Sequence, residues 1–210
     1  MRIGLLAYLA LLVSLSFHEF MHAYSAYLLG DRTAERAGRL TLNPVRHIDF
    51  LGTVVLPLMG LFSGMPVFGW AKPVPVNPHN LKGGRWGPAL VGGAGPLSNF
   101  FAAAVFLVLL RVALGFFPPE NLLVVFLFQL VTVNVVLGVF NLIPVPPLDG
   151  SSVLESFLVA PRWRNLLAFL ESRGPMLLIL LIVLDSMSPV SLLGSVFVVA
   201  VNGFFALGGM

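Results

Sequence analysis

The sequence predicts an all-α polytopic membrane protein, with four to six transmembrane helices and a re-entrant, partly β-like segment near residues 51–80. Three observations carry that reading. Of 210 residues, 58% are hydrophobic and only 10% charged. A soluble domain averages about 25% charged residues, so this chain has too few to cover a water-facing surface. The apolar residues fall in runs near 3–29, 51–71, 88–110, 122–142, 175–184 and 190–208, several of them as long as the roughly 20 residues that cross a bilayer. One run is broken by Pro57, Gly60, Gly64 and Pro66, which argues against a straight span there.

Run 3–29 reads as a spanning helix rather than a cleaved signal segment. It is longer than a signal core, has Arg2 as its single basic residue and lacks a clear small-residue cleavage site. After it, 31–49 carries Arg32, Arg36, Arg39 and Arg46, and 72–86 carries Lys72, Lys82 and Arg85. Such basic loops stay on the cytoplasmic side. The run between them is therefore expected to enter the membrane and return, as a re-entrant hairpin or broken helix, a form tolerated at depth only against protein or a water-filled cavity. Val74 and Val76 alternate with prolines, so residues 66–76 read as an extended, edge-type strand.

Runs 88–110 and 122–142 read as spans. Run 175–184 is short and is expected to borrow 166–170, despite Glu171 and Arg173. Placing 143–174 inside as well puts ten of the 12 Lys and Arg on the cytoplasmic face, with the N-terminus outside. No repeat or low-complexity tract interrupts the chain, and 1–210 is expected to form a single membrane-embedded domain. Trp70 and Trp86 read as interfacial anchors, and Asn134 and Gln129 as interhelical hydrogen bonds. The net charge of +3 is dispersed, which speaks against a nucleic-acid partner.

The chemistry is concentrated in His18-Glu-Phe-Met-His22, inside the first run. On a helix, His18 and His22 lie one turn apart on one face, the spacing that lets two imidazoles hold one Zn²⁺ while Glu19 takes a proton from water. A carboxylate at the bilayer centre costs roughly 2.5–3.5 kcal/mol, and a metal site accounts for its presence. The chain has no cysteine, so a third ligand must come from Asp31, Asp49, Asp149, Glu155, Glu171 or Asp185, or another histidine. Asp149 stands out. It follows the prolines of Asn141-Leu-Ile-Pro-Val-Pro-Pro-Leu-Asp149-Gly150, which stop a helix and should give an extended stretch at the membrane boundary. Asp31 reads as a solvent-facing helix end, and His47 and His79 as surface residues. Gly92, Gly93 and Gly95 read as close-approach positions.

At this point the chain resembles the site-2 protease family of intramembrane zinc metalloproteases, in its compact branch without a PDZ domain. The resemblance rests on five blocks in order: His18–His22, Gly38-Arg-Leu-Thr-Leu-Asn-Pro-Val-Arg-His-Ile-Asp49, Phe68-Gly-Trp-Ala-Lys-Pro-Val-Pro-Val-Asn-Pro78, Gly95-Pro-Leu-Ser-Asn99, and Asn141 to Gly150. It implies His18, His22 and Asp149 as ligands of one Zn²⁺ and Glu19 as general acid/base. It further implies Asn141 at the substrate backbone or oxyanion and Asn99 near the substrate groove. The expected substrates are transmembrane or juxtamembrane polypeptides, cleaved in regulated intramembrane proteolysis or in clearance of signal remnants. The expected place is a prokaryotic inner membrane, with the active site opening toward the cytoplasm. A metal transporter would instead show symmetric halves and a string of ionisable residues, neither of which is present. An inactive scaffold would not need an intact Glu19.

Overall fold

The computed structural model describes residues 2–63 and 69–209. The expected all-helical architecture holds. Four helices are long and apolar enough to cross a membrane: α1 (Arg2–Leu28), α4 (Trp86–Leu114), α5 (Leu122–Asn141) and the segment Pro161–Met187, most of which is α7 (Arg164–Met187). Helix α7 is continuous through residues 166–184, so the short run does borrow its upstream neighbours. Shorter helices fill the rest: α2 (Thr33–Arg36), α3 (Leu56–Ser63), α6 (Gly150–Phe157) and α8 (Leu192–Leu207). The protein is an integral membrane protein built around three packed spans.

Those spans are α1, α4 and α5. Ala10 of α1, Leu110 and Ala113 of α4, and Val124, Leu127 and Leu130 of α5 form one buried cluster. Ala103, Leu107, Val131 and Val135 form a second, covered by Phe204 and Phe205 of α8. Small residues recur at the contacts, which lets helices approach closely where lipid supplies no hydrophobic drive between them. The outward faces carry Leu, Val and Phe, as a lipid-facing surface requires.

Between α2 and α4 the chain departs from the spanning pattern. Phe50–Val55 is a π-helical stretch that runs into the eight-residue α3. Together they are about 21 Å long at 1.5 Å per residue, short of the hydrocarbon thickness of about 30 Å. The two flanks are tied together, with the Trp70 N–H donating to Gly52 O at 3.2 Å and the Lys72 N–H to His47 O at 2.9 Å. The near strand of the segment is thus held, yet no β-strand forms among the described residues; residues 69–77 are irregular and extended. Pro73 and Pro75 remove the donors a ladder needs. Residues 64–68, part of the expected strand, lie outside the described residues.

The prolines before Asp149 also act differently from expectation. Residues 142–149 are not extended but a chain of turns, closed by Ile143 N–H to Phe140 O at 3.1 Å and Leu148 N–H to Val145 O at 3.0 Å. The carbonyls that the prolines leave free accept bonds from non-proline neighbours. These turns fold Asp149 back over the bundle.

Candidate metal centre

Helix α1 presents Ser14, His18 and His22 on one buried face, and α4 lays Val91, Gly95 and Asn99 against it. Both triplets have i, i+4 spacing, so each series stacks along one helix side. The two imidazoles are held by their Nδ1 atoms. His22 Nδ1 donates to the Val91 carbonyl at 2.7 Å, and His18 Nδ1 meets Asn99 Oδ1 at 2.6 Å. Both Nε2 atoms then point to a common centre, 2.9 Å apart.

Asp149 completes the cluster. Its carboxylate lies 3.1 Å from His18 Nε2 and 3.3 Å from His22 Nε2. It sits at the start of α6 but makes no capping bond to that helix; the side chain is turned to the imidazoles instead. The close seat of α6 needs Gly92, where a Cβ would come within 3.1 Å of Asp149 O.

The arrangement fits a single cation. The Val91 carbonyl can only accept, so His22 carries its proton on Nδ1 and offers a bare lone pair at Nε2. Asp149 Oδ2 is buried and has no hydrogen-bond partner. Such an acceptor is costly unless something positive satisfies it. The three donor atoms lie within 4.8 Å of one another. Their spacings of 2.9, 3.1 and 3.3 Å run up to the ~3.3 Å edge of a tetrahedral site with bonds of about 2.0–2.1 Å. Two imidazoles and one carboxylate, with a fourth position left over, are the donor set of a catalytic zinc centre.

Glu19 lies beside the cluster, buried, with Oε2 accepting the Val74 N–H at 2.9 Å. The carboxylate therefore pins the extended segment 69–77 to the site. Gly95 supplies the clearance: a Cβ there would sit 2.4 Å from His22 Nε2 and 2.6 Å from His18 Cε1. Asn141 ends α5, half-buried, its amide donating to Leu137 O at 3.0 Å. It makes no bond to the histidines or Asp149. Asn99, expected beside substrate, has no exposed surface at all; it faces His18 on one side and Asn134 on the other.

Comparison with known proteins gives the family. The family model described as peptidase family M50 matches residues 117–183, the part that carries Asp149. The chain is 40% identical over 192 residues to the "Putative zinc metalloprotease YwhC" of Bacillus subtilis (strain 168), covering 86% of this chain and 82% of that one. The chain belongs to peptidase family M50, the site-2 protease family. Rip2 of Mycolicibacterium smegmatis, which carries the same designation, is 30% identical over 181 residues, covering 84% of this chain and 66% of its own. Rip2 of Mycobacterium tuberculosis (strain ATCC 25618 / H37Rv) is 34% identical over 148 residues, 70% of this chain and 55% of that one. No solved structure matches the chain at a significant level.

Two features of this M50 peptidase escaped the sequence. Asp31 is not solvent-facing but fully buried. It accepts from the Asn77 N–H at 2.7 Å, the Asn80 amide at 3.0 Å and the Thr33 N–H at 3.1 Å. Burial works to raise its pKa, but the bonds from Asn80, Thr33 and Asn77 hold it below the ordinary carboxylate value. His47 is also buried, bonded through Nε2 to Thr41 O at 2.8 Å, beside an Arg39 that caps the Lys72 carbonyl. Asn134, expected as an interhelical hydrogen bond, is wholly buried in α5 and makes such bonds to Asn99 of α4 and Ser14 of α1. An amide in the middle of an apolar span was a visible signal; its partners were not.

Proposed function

We propose that this peptidase is a zinc-dependent intramembrane endopeptidase, with His18, His22 and Asp149 as the metal ligands and Glu19 as the general acid/base. The observation that carries the reading is the convergence of two bare imidazole nitrogens and an unpartnered carboxylate beside a buried glutamate, inside a spanning helix. The names of the bacterial relatives point to zinc. Zinc bound there supplies Lewis acidity, polarising a carbonyl and making water acidic near neutral pH.

The protein's own groups do the rest. One oxygen of Glu19 is held by the Val74 N–H, which fixes the carboxylate's plane. The other takes a proton from water and returns it to the leaving amine. Asn141 spends one amide hydrogen on Leu137 O. The second is open for the substrate carbonyl as negative charge develops there.

Substrates are transmembrane or juxtamembrane segments. His18 lies ten residues before the end of α1 at Leu28, about 15 Å along the helix axis and well inside a hydrocarbon layer of about 30 Å. A peptide bond at that depth must first leave its helix, and its freed backbone needs partners. Segment 69–77 offers them. Its inner edge is committed at Trp70, Lys72 and Val74, and the carbonyls of Pro73 and Pro75 take no partner among the described residues. Addition of an unwound substrate strand along that edge fits.

We place segment 50–63 as a re-entrant wall, because loops 31–49 and 70–82 are bonded to each other at one end of the bundle. By the positive-inside rule that end is cytoplasmic and the site opens toward the cytoplasm; the bacterial relatives favour a prokaryotic inner membrane. Zinc analysis of purified protein tests the core of this. One zinc per chain is expected, with His22→Ala and Asp149→Ala losing it. A folded wild type that stays zinc-free after reconstitution overturns the proposal.

A further inference from the structure

We propose that Ser14, Asn134 and Asn99 form a relay that fixes the tautomer and plane of His18, so that Asn99 is a positioning residue for the metal ligand rather than a contact for substrate. The inference rests on the zinc reading above. Four side chains from three spans are involved, Ser14 and His18 of α1, Asn99 of α4 and Asn134 of α5, and each is at most 4% exposed. They form a closed circuit that leaves α1 at Ser14 and returns to it one turn later at His18.

The direction of every bond follows from one group. The Leu130 carbonyl can only accept, and it lies 2.8 Å from an amide atom of Asn134. That atom must therefore be Nδ2, which also donates to Ser14 Oγ at 2.8 Å. Asn134 Oδ1 is left to face Asn99, whose Nδ2 donates to it at 2.8 Å. Asn99 then has only Oδ1 to offer His18 Nδ1 at 2.6 Å, so His18 keeps its proton on Nδ1 and its lone pair on Nε2. Reversing any amide in the series sets two acceptors against each other, or two donors.

His22 needs no such relay, because the backbone carbonyl of Val91 does the same work directly. Position 99 has only a side chain to offer, and an isolated amide can turn over; Asn134 removes that freedom. Ligand histidines usually donate their second nitrogen to an oriented acceptor, and loss of that partner costs about 10–100-fold in metal affinity. Interhelical glue alone would not require this polarity order.

The test uses the full chain purified in detergent, with zinc affinity measured by chelator competition, the Co²⁺ absorption spectrum as a report on ligand geometry, and melting of the metal-free protein as a control. Asn134→Leu and Asn99→Leu should each weaken zinc by about 10–100-fold and change the Co²⁺ spectrum. Asn99→Asp should keep more affinity than Asn99→Leu, because a carboxylate also accepts the Nδ1–H although it no longer donates to Asn134 Oδ1; a substrate-donating role would not be rescued this way. Ser14→Ala removes one of two acceptors at little volume cost, and should weaken zinc by a smaller factor in the same direction. It carries the test if Asn134→Leu does not fold. Variants that melt lower but bind zinc like wild type would overturn the relay and leave interhelical packing as the role. Asn99→Leu with unchanged zinc affinity and lost cleavage would overturn it in favour of substrate contact. A wild type that takes up no zinc would fail the zinc reading itself, a distinct result.

Discussion

A methyl group at position 95 would collide with both imidazoles, at 2.4 and 2.6 Å. Gly95→Ala is therefore expected to displace one histidine and lose bound zinc while the helices stay folded, a result read by metal analysis beside circular dichroism. Asn141 and Asn99 separate in the opposite sense. Asn141→Ala should keep its zinc and lose about 10²–10³-fold in kcat, the usual cost of one oxyanion donor, whereas changes at Asn99 are expected to act through the metal. His18, Glu19 and His22 were legible in sequence because i, i+4 spacing on a helix fixes a shared face without any tertiary knowledge. Asp149 was legible as a candidate, but its turn toward the imidazoles depends on the folded turns at 142–148. Asp31 and His47 were misread. Each lies in a polar stretch whose burial arises only when segments far apart in the chain fold over it.

The segment from Trp70 to Asn80 is the element that the spans do not explain. Four buried or partly buried groups hold it: Thr53 Oγ1 on the Trp70 carbonyl, Arg39 on the Lys72 carbonyl, Glu19 on the Val74 N–H and Asp31 on the Asn77 N–H. Asp31→Ala leaves four donors without an acceptor, two of them in that clamp and two on Thr33, and should destabilise the protein by about 1–3 kcal/mol. The sign of its pH dependence follows from the lowered carboxyl. Its stabilisation is complete above the unfolded value of about 3.9 and is lost as pH falls through the lower folded value. The gap in thermal stability between wild type and Asp31→Asn should thus be constant above about pH 5 and shrink below about pH 4. The apolar runs had announced α1 and α5 to within a residue and α4 to within four, since a bilayer sets span length. Loops obey no such ruler, and the turns before α6 and the clamp at Asp31 are set by donors and acceptors brought together from different elements.

Across the whole molecule, the proposed function requires loops 31–49, 70–85 and 142–163 to share a face, with residues 115–121 and 188–191 on the other. The chain has no cysteine, so single cysteines placed at Thr41, Arg162 and Pro118 can be labelled in intact cells without background. Pro118→Cys should react with an impermeant reagent from outside, and the other two only after lysis; the reverse pattern would invert the orientation. Composition and loop charge are what indicate this layout, because both report on the bilayer rather than on packing. The central claim, zinc-dependent proteolysis through Glu19, is tested most directly by cleavage of single-pass membrane substrates by purified wild type and Glu19→Gln, with bound zinc quantified in each. Gln keeps an acceptor for the Val74 N–H but cannot take a proton. Cleavage by wild type and a loss of about 10²–10⁴-fold in the variant at unchanged zinc is the predicted result. Equal cleavage by a zinc-loaded Glu19→Gln would contradict it.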